Sequence, residues 1–204
     1  KIKTPHIDGL AASGVRFTDA HSSSGVCSPT RYSLLTGRYH WRTRLQSGIV
    51  GVWEKPLIAA ERMTIGTLAQ QAGYRTACIG KWHLGWDWPI NKQQSSAFQA
   101  NRNGANKVEL TDVQRKIWDD VFSQPIPGGP TSRGFHEYFG TDVPNWPPYA
   151  FIANDRVQGL PTELLPAALF KNHLASLPGP ALKDWKLEAI LPALVEHATS
   201  FITK

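Results

Sequence analysis

The chain has 204 residues, 41% hydrophobic and 19% charged, with 8 Trp, 15 Pro and 17 Gly. That is enough apolar content for one sizeable core, and it excludes a disordered chain. The formal charge of +6 favours acidic partners, but Lys and Arg are scattered, so no nucleic-acid surface is indicated. No apolar run approaches membrane-spanning length, and no membrane partner is expected. The chain opens on "KIKTPHIDGL", with no initiator Met or signal peptide, and reads as an excised piece whose compartment this absence does not decide.

In chain order, "TPHIDGLAASG" predicts a short helix capped by Thr4, started by Pro5, facing Ile7, Leu10 and Ala11 inward and stopped at Gly14. "VRFTDAH" alternates like a strand. "SSSGVCSPTRYSLLTG" places Cys27 on a loop before a helix, with Ser28 as N-cap, Pro29 in the first turn, an apolar face at Leu34 and Leu35, and a stop at Gly37. "RYHWRTRLQSGIVG" is expected to be irregular. "TIGTLAQQAG" predicts a helix capped by Thr64 and closed at Gly73, feeding the strand "YRTACIG" and the loop "KWHLGWDWP". A helix, a Gly stop, a strand and a polar loop thus occur twice, which is the grammar of an α/β sheet with site loops at strand ends. "NKQQSSAFQANRNGANK" looks like an exposed insertion, followed by a helix at "LTDVQRKIWDDVF" and a loop at "PIPGGPTSRG". "FHEYFGTDVPNWPPYAFIANDRVQG" predicts short strands around a rigid turn. "DWKLEAILPALVEHATSFI" predicts a long helix, bent at Pro192, with Leu187, Ile190, Leu191, Leu194, Ala198 and Phe201 near one face. No internal repeat or linker interrupts the chain, so one unit is expected.

Cys27 and Cys78 are the only cysteines, too few for a disulfide scaffold. Cys78 sits in an apolar run and reads as a core residue, whereas Cys27 does not. At a helix N-terminus, unpaired N–H groups and the dipole favour an anionic group, and Arg31 one turn on adds a planar cationic fork. The local chemistry is that of an anion site centred on a cysteine.

"CSPTR" followed by "YSLLTG" resembles the signature of the type I, formylglycine-dependent sulfatases. "GYRTACIGKWHLG", residues 73–85, resembles their second signature. The approach "TPHIDGLAASGVRFTDAHSSSGVC" is also similar, with His6 where Asn is common. The resemblance covers the chain except about 92–130, which reads as an insertion or variable region of a partial catalytic domain spanning 1–204. It implies an alkaline-phosphatase-like α/β/α sandwich, incomplete here in its first strand and C-terminal part.

The resemblance implies that Cys27 is oxidised to formylglycine, whose hydrated aldehyde is the nucleophile. A formylglycine-generating enzyme would read Pro29 and Arg31 during maturation. Arg31, Lys81 and His83 would be catalytic residues around the sulfate. The alternation in "KWH" puts Lys81 and His83 on one side of an extended segment and Trp82 on the other. Asp142 and Asn145, on the Pro-stiffened loop "GTDVPNWPPY", are candidate substrate-binding residues, with ordinary turn chemistry as the alternative. Trp86, Trp88, Trp146 and Tyr149 could stack on a sugar or pack a core. His21 is expected in a plain hydrogen-bonding role.

The family also implies a divalent cation, most often Ca²⁺. Formylglycine at position 27 would be one metal ligand. The others, an Asp-Asp pair and an Asp-Asn pair, are expected before Lys1 and after Lys204, with a second His and Lys. The adjacent Asp119 and Asp120 lie in a helical context and do not replace them. The expected activity is therefore hydrolysis of a sulfate ester, on a sulfated small molecule or carbohydrate, with this chain inactive by itself. Phosphate or phosphonate monoester hydrolysis, or a non-catalytic binding module, are the alternatives. A periplasmic, secreted or lysosomal location follows from the family alone.

Overall fold

The computed structural model describes residues 2–99, 110–165 and 176–204. Strand β1, Ala77–Ile79, runs parallel to β2, Glu137–Gly140, with Cys78 opposite Tyr138 and Ile79 opposite Phe139. Strands β3, Ile152–Ala153, and β4, Arg156–Val157, extend the sheet antiparallel in the order β1-β2-β3-β4. A separate antiparallel pair joins β5, Glu163–Leu165, to β6, Gly179–Ala181.

Strand side chains alternate, so Ala77, Ile79 and Phe139 face one way and Cys78 and Tyr138 the other. Helix α5, Ile190–Ile202, covers the first face, where His197 stacks on Phe139. On the second face Tyr138 joins the main core with Tyr32, Trp82, Trp86, Trp88 and Trp118. Tyr32 comes from helix α2, Cys27–Thr36. The sheet is thus sandwiched, and its second face carries the residues of both sequence signatures.

Helix α3, Ile65–Gln71, begins where its sequence signal lies. Thr67 N donates to Thr64 Oγ1 (3.1 Å) and Thr64 N donates to Thr67 Oγ1 (2.7 Å), a reciprocal cap. Thr64 Oγ1 also donates to the Arg133 carbonyl (2.6 Å), which ties α3 to the loop leading into β2. Gly73, at φ +81°, turns the chain toward β1.

Several expectations need correction. Helix α1, Pro5–Ser13, forms but buries nothing, leaving Ile7 67% and Leu10 73% exposed; the Thr4 hydroxyl bonds Asp8 and caps no backbone N–H. "VRFTDAH" is not a strand, because no described strand lies beside it to complete its hydrogen bonds. Val15 and Phe17 are accordingly exposed. In α2 the N-cap is Val26 rather than Ser28, and Leu34 faces outward. The last helix starts only at Ile190, after a 3₁₀ turn at Leu187–Ala189. Pro192 thereby falls in the first turn, where no intrahelical bond needs its missing N–H, and the expected bend is replaced by this change of helix type. Leu187 and Leu191 are exposed, while Ile190 is buried.

Of the polar stretch read as an insertion, residues 100–109 lie outside the described residues. Its described flanks are not merely exposed. Phe98 is buried, as are Trp118, Val121 and Phe122 of helix α4, Asp112–Phe122. The Trp118 indole N–H donates to the Ala97 carbonyl (2.8 Å). Among the described residues, no helix is long and apolar enough to cross a membrane.

Candidate active site

Helix α2 starts at Cys27 itself, so the thiol lies in its first turn beside N–H groups with no intrahelical acceptor. Gly37, at φ +65°, closes the helix with its N–H on the Ser33 carbonyl (2.9 Å). One side of α2 borders an open cavity of about 460 Å³, lined by Ser22, Ser24, Cys27, Thr30, Arg31 and Leu34 among others. The opposite side buries Ser28, Pro29 and Tyr32.

Two long-range bonds seat the "KWH" segment against this helix. Arg31 Nη1 donates to the Lys81 carbonyl (2.6 Å), and Ser28 Oγ donates to the His83 carbonyl (2.9 Å). The Lys81 side chain lies close enough to Cys27 for the two to interact electrostatically. Burial lowers the Lys81 pKa and the Arg31 charge adds to this, while Cys27 and Asp142 pull it back up.

His83 does not continue an extended segment. Its φ is +54°, a left-handed conformation rare for a residue with a Cβ, so the extended run that would alternate Lys81 and His83 regularly is broken at His83. Three contacts fix it there. Its N–H donates to Asp142 Oδ1 (3.0 Å), its carbonyl accepts from Ser28, and its Nε2 lies 2.8 Å from the Val50 carbonyl. The ring packs edge-on to Trp146, with centroids 5.0 Å apart. Burial, and then the Lys81 charge, lower its pKa to about 4, so His83 is neutral at neutral pH.

Asp142, just past β2, is buried and accepts on Oδ1 from both His83 N and Trp86 Nε1 (3.1 Å). Burial raises its pKa to about 6 against the pull of these bonds. The structure therefore links Cys27 and Arg31 to Lys81, and Asp142 to His83 two residues further on, with Asp142 bonded internally.

Asn145 is engaged elsewhere. Its Nδ2 donates to Ser176 Oγ (3.3 Å) and its carbonyl accepts from Tyr149 OH (2.9 Å) and Leu177 N (3.2 Å). Trp86, Trp88, Trp146 and Tyr149 are at most 8% exposed, which makes them core residues rather than sugar platforms. His21 is exposed and bonds Asp19 (2.5 Å).

Sequence reasoning missed Ser28 and the Val50 carbonyl. Ser28 carried a cap-like signal, but α2 begins one residue earlier and the hydroxyl serves tertiary contacts. A backbone carbonyl leaves no sequence signal.

Among the described residues, no three or more His, Cys, Asp or Glu side chains converge to hold a metal. Asp120 pairs with Lys116 along α4 (3.2 Å). A hard cation needs several oxygen ligands, so these residues alone do not fit a calcium site.

Cys27 at a helix start, with Arg31 and Lys81 beside it and an α/β sheet behind, forms a cationic site suited to an anion. The sulfatase family model matches residues 1–154, and the chain belongs to the sulfatase family. The N-acetylgalactosamine-6-O-sulfatase of Bacteroides thetaiotaomicron is 44% identical over 85 residues, 42% of this chain and 16% of the relative. Human arylsulfatase A is 39% identical over 82 residues, 40% of this chain and 16% of the relative. A solved Bacteroides thetaiotaomicron structure, described with the metabolism of multiple glycosaminoglycans, matches with a TM-score of 0.67 and 25% identity, over 98% of this chain and 42% of that one. The fold is thus the alkaline-phosphatase-like fold of the sulfatases. The chain spans less than half of that neighbour, and its matches span about one-sixth of the curated relatives. Sulfatases generally use a metal ion and a formylglycine.

Proposed function

We propose that this chain is the nucleophile-bearing part of a sulfate ester hydrolase, with Cys27 as the precursor of the attacking group. The observation that supports it is the position of Cys27 on the first turn of α2, within electrostatic reach of Lys81 and lining one cavity with Arg31 one turn on. In this structure the thiol stands in for the formylglycine hydroxyls. That residue supplies a hydrated aldehyde: one hydroxyl attacks sulfur, and the other expels sulfate as the aldehyde reforms.

The side chains around it have separable tasks. Lys81 and the remaining arm of Arg31 neutralise sulfate oxygens, helped by the first N–H groups of α2. His83, neutral in this setting, accepts a proton from a formylglycine hydroxyl. Asp142 holds the His83 backbone from behind. The divalent cation, calcium by family preference, would take its remaining ligands from outside the described residues, and the chain alone is inactive.

The substrate is a sulfated carbohydrate. Both the name of the Bacteroides relative and the basic charge of this chain support that class. A formylglycine-generating enzyme is the maturation partner, reading Cys27, Pro29 and Arg31. The site of action is a periplasmic, secreted or lysosomal compartment.

Turnover of an aryl sulfate and the matching aryl phosphate by the full-length protein carrying this chain tests the reading. Sulfate turnover should be the greater. Faster phosphate turnover would place the protein with the monoester phosphatases, and neither activity with calcium supplied would leave a binding module.

A further inference from the structure

We propose that Ser28 is a positioning residue that, through Val50, fixes His83 in the tautomer with its proton on Nε2 and its lone pair on Nδ1. Ser28 is fully buried and its Oγ makes two bonds at once. It donates to the His83 carbonyl (2.9 Å) and accepts from the Val50 N–H (3.1 Å). Val50 is itself buried, and its carbonyl lies 2.8 Å from His83 Nε2. One hydroxyl therefore clamps the His83 main chain and the peptide unit that meets its ring.

The tautomer follows from hydrogen-bond chemistry. A carbonyl only accepts, so the 2.8 Å contact requires a proton on Nε2. The ring is neutral at neutral pH, so Nδ1 is left with a lone pair. Nδ1 is buried and has no hydrogen-bond partner among the described residues. A buried acceptor without a donor costs free energy, which makes it a group held ready for one. The Lys81 and Arg31 charges act on this ring, and both also act at Cys27. A hydrogen bond to one ring nitrogen sets which nitrogen is free and so orients a working histidine.

This inference deepens the proposed sulfatase site, but its first test does not depend on turnover. Long-range proton–nitrogen NMR on ring-¹⁵N-histidine chain at pH 7, with the His83 signal assigned through His83→Gln, reads the tautomer directly. The wild type should show a protonated Nε2 and a bare Nδ1; a protonated Nδ1 overturns the proposal. Ser28→Ala should give a mixture of tautomers, and Ser28→Thr, which keeps the hydroxyl, should restore the single form. If Ser28→Ala fails to fold, the wild-type and Ser28→Thr spectra decide. In the full-length protein, per formylglycine formed, Ser28→Ala should lower kcat roughly tenfold or more with KM within about twofold. A folded Ser28→Ala that keeps the pure Nε2–H form, or that keeps kcat, removes Ser28 from this role. Loss of all sulfate turnover in the wild type would instead fault the proposed function and leave the tautomer result standing.

Discussion

His83 and Asp142 touch, and their ionisation equilibria are displaced in ways that oppose each other in the pH profile. The folded chain holds a proton on Asp142 up to about pH 6, whereas an ordinary aspartate releases it near 3.8. It refuses one on His83 down to about pH 4, whereas an ordinary histidine takes it near 6.5. As pH rises from about 4 to 6, the Asp142 contribution weakens the fold because the native state binds the extra proton. Over the same window the His83 contribution strengthens it, because there the unfolded state binds the extra proton. The two slopes cancel. Asp142→Asn keeps the acceptor for His83 N and removes one titration. Its stability relative to wild type, followed by urea unfolding, should rise with pH across that window. A pH-independent difference would show that Asp142 titrates normally.

Arg31 poses the question of charge against shape. Its Nη1 already holds the Lys81 carbonyl, so the guanidinium can bridge the "KWH" segment and a sulfate oxygen together. Lysine preserves the charge but not the bridge. Arg31→Lys in the full-length protein should lose one charge-assisted bond, about 1.5–3 kcal/mol, or ten- to a hundredfold in rate. Formylglycine content must be measured by mass spectrometry first, since the proposed maturation enzyme would read Arg31 as well. A corrected kcat/KM within about twofold of the parent would reduce Arg31 to a maturation signal.

At the scale of elements, the contact between β2 and the end of β1 decides where the site loop leaves the sheet. A Cβ on Gly140 would lie 1.9 Å from the Gly80 carbonyl oxygen, a backbone atom that cannot rotate away. Gly140→Ala should therefore cost about 3 kcal/mol or more in urea unfolding. It should also disturb Lys81 and His83, which follow Gly80 directly. A loss under about 0.5 kcal/mol would mean that the two strands can part without consequence.

The elements legible in the sequence are those whose signal is local. Thr64 and Gly73 bound α3 because a cap and a left-handed turn are decided by near neighbours. The Lys81–His83 loop after β1 was legible for the same reason. What escaped depends on packing. The exposed Val15 and Phe17 alternate like a strand, but alternation requires a neighbouring strand to become one. Ser28 looks like a cap in one dimension and is a tertiary strut in three. His83 was expected to extend, yet bonds from Asp142 and Ser28, far away in sequence, hold it left-handed.

For the whole molecule, the two faces of the sheet divide the labour. Helix α5 packs on the Ile79 and Phe139 face, and the Tyr138 face carries the core on which the Cys27 and Lys81–His83 segments rest. The proposed function requires that Cys27 act only after oxidation to formylglycine. The direct measurement is sulfate release by the full-length protein, prepared with and without the modifying enzyme, against the formylglycine fraction found by mass spectrometry of the Cys27 peptide. Sulfate release should rise in proportion to that fraction and vanish in Cys27→Ala. Turnover that is independent of the fraction, or that survives in Cys27→Ala, would contradict the account.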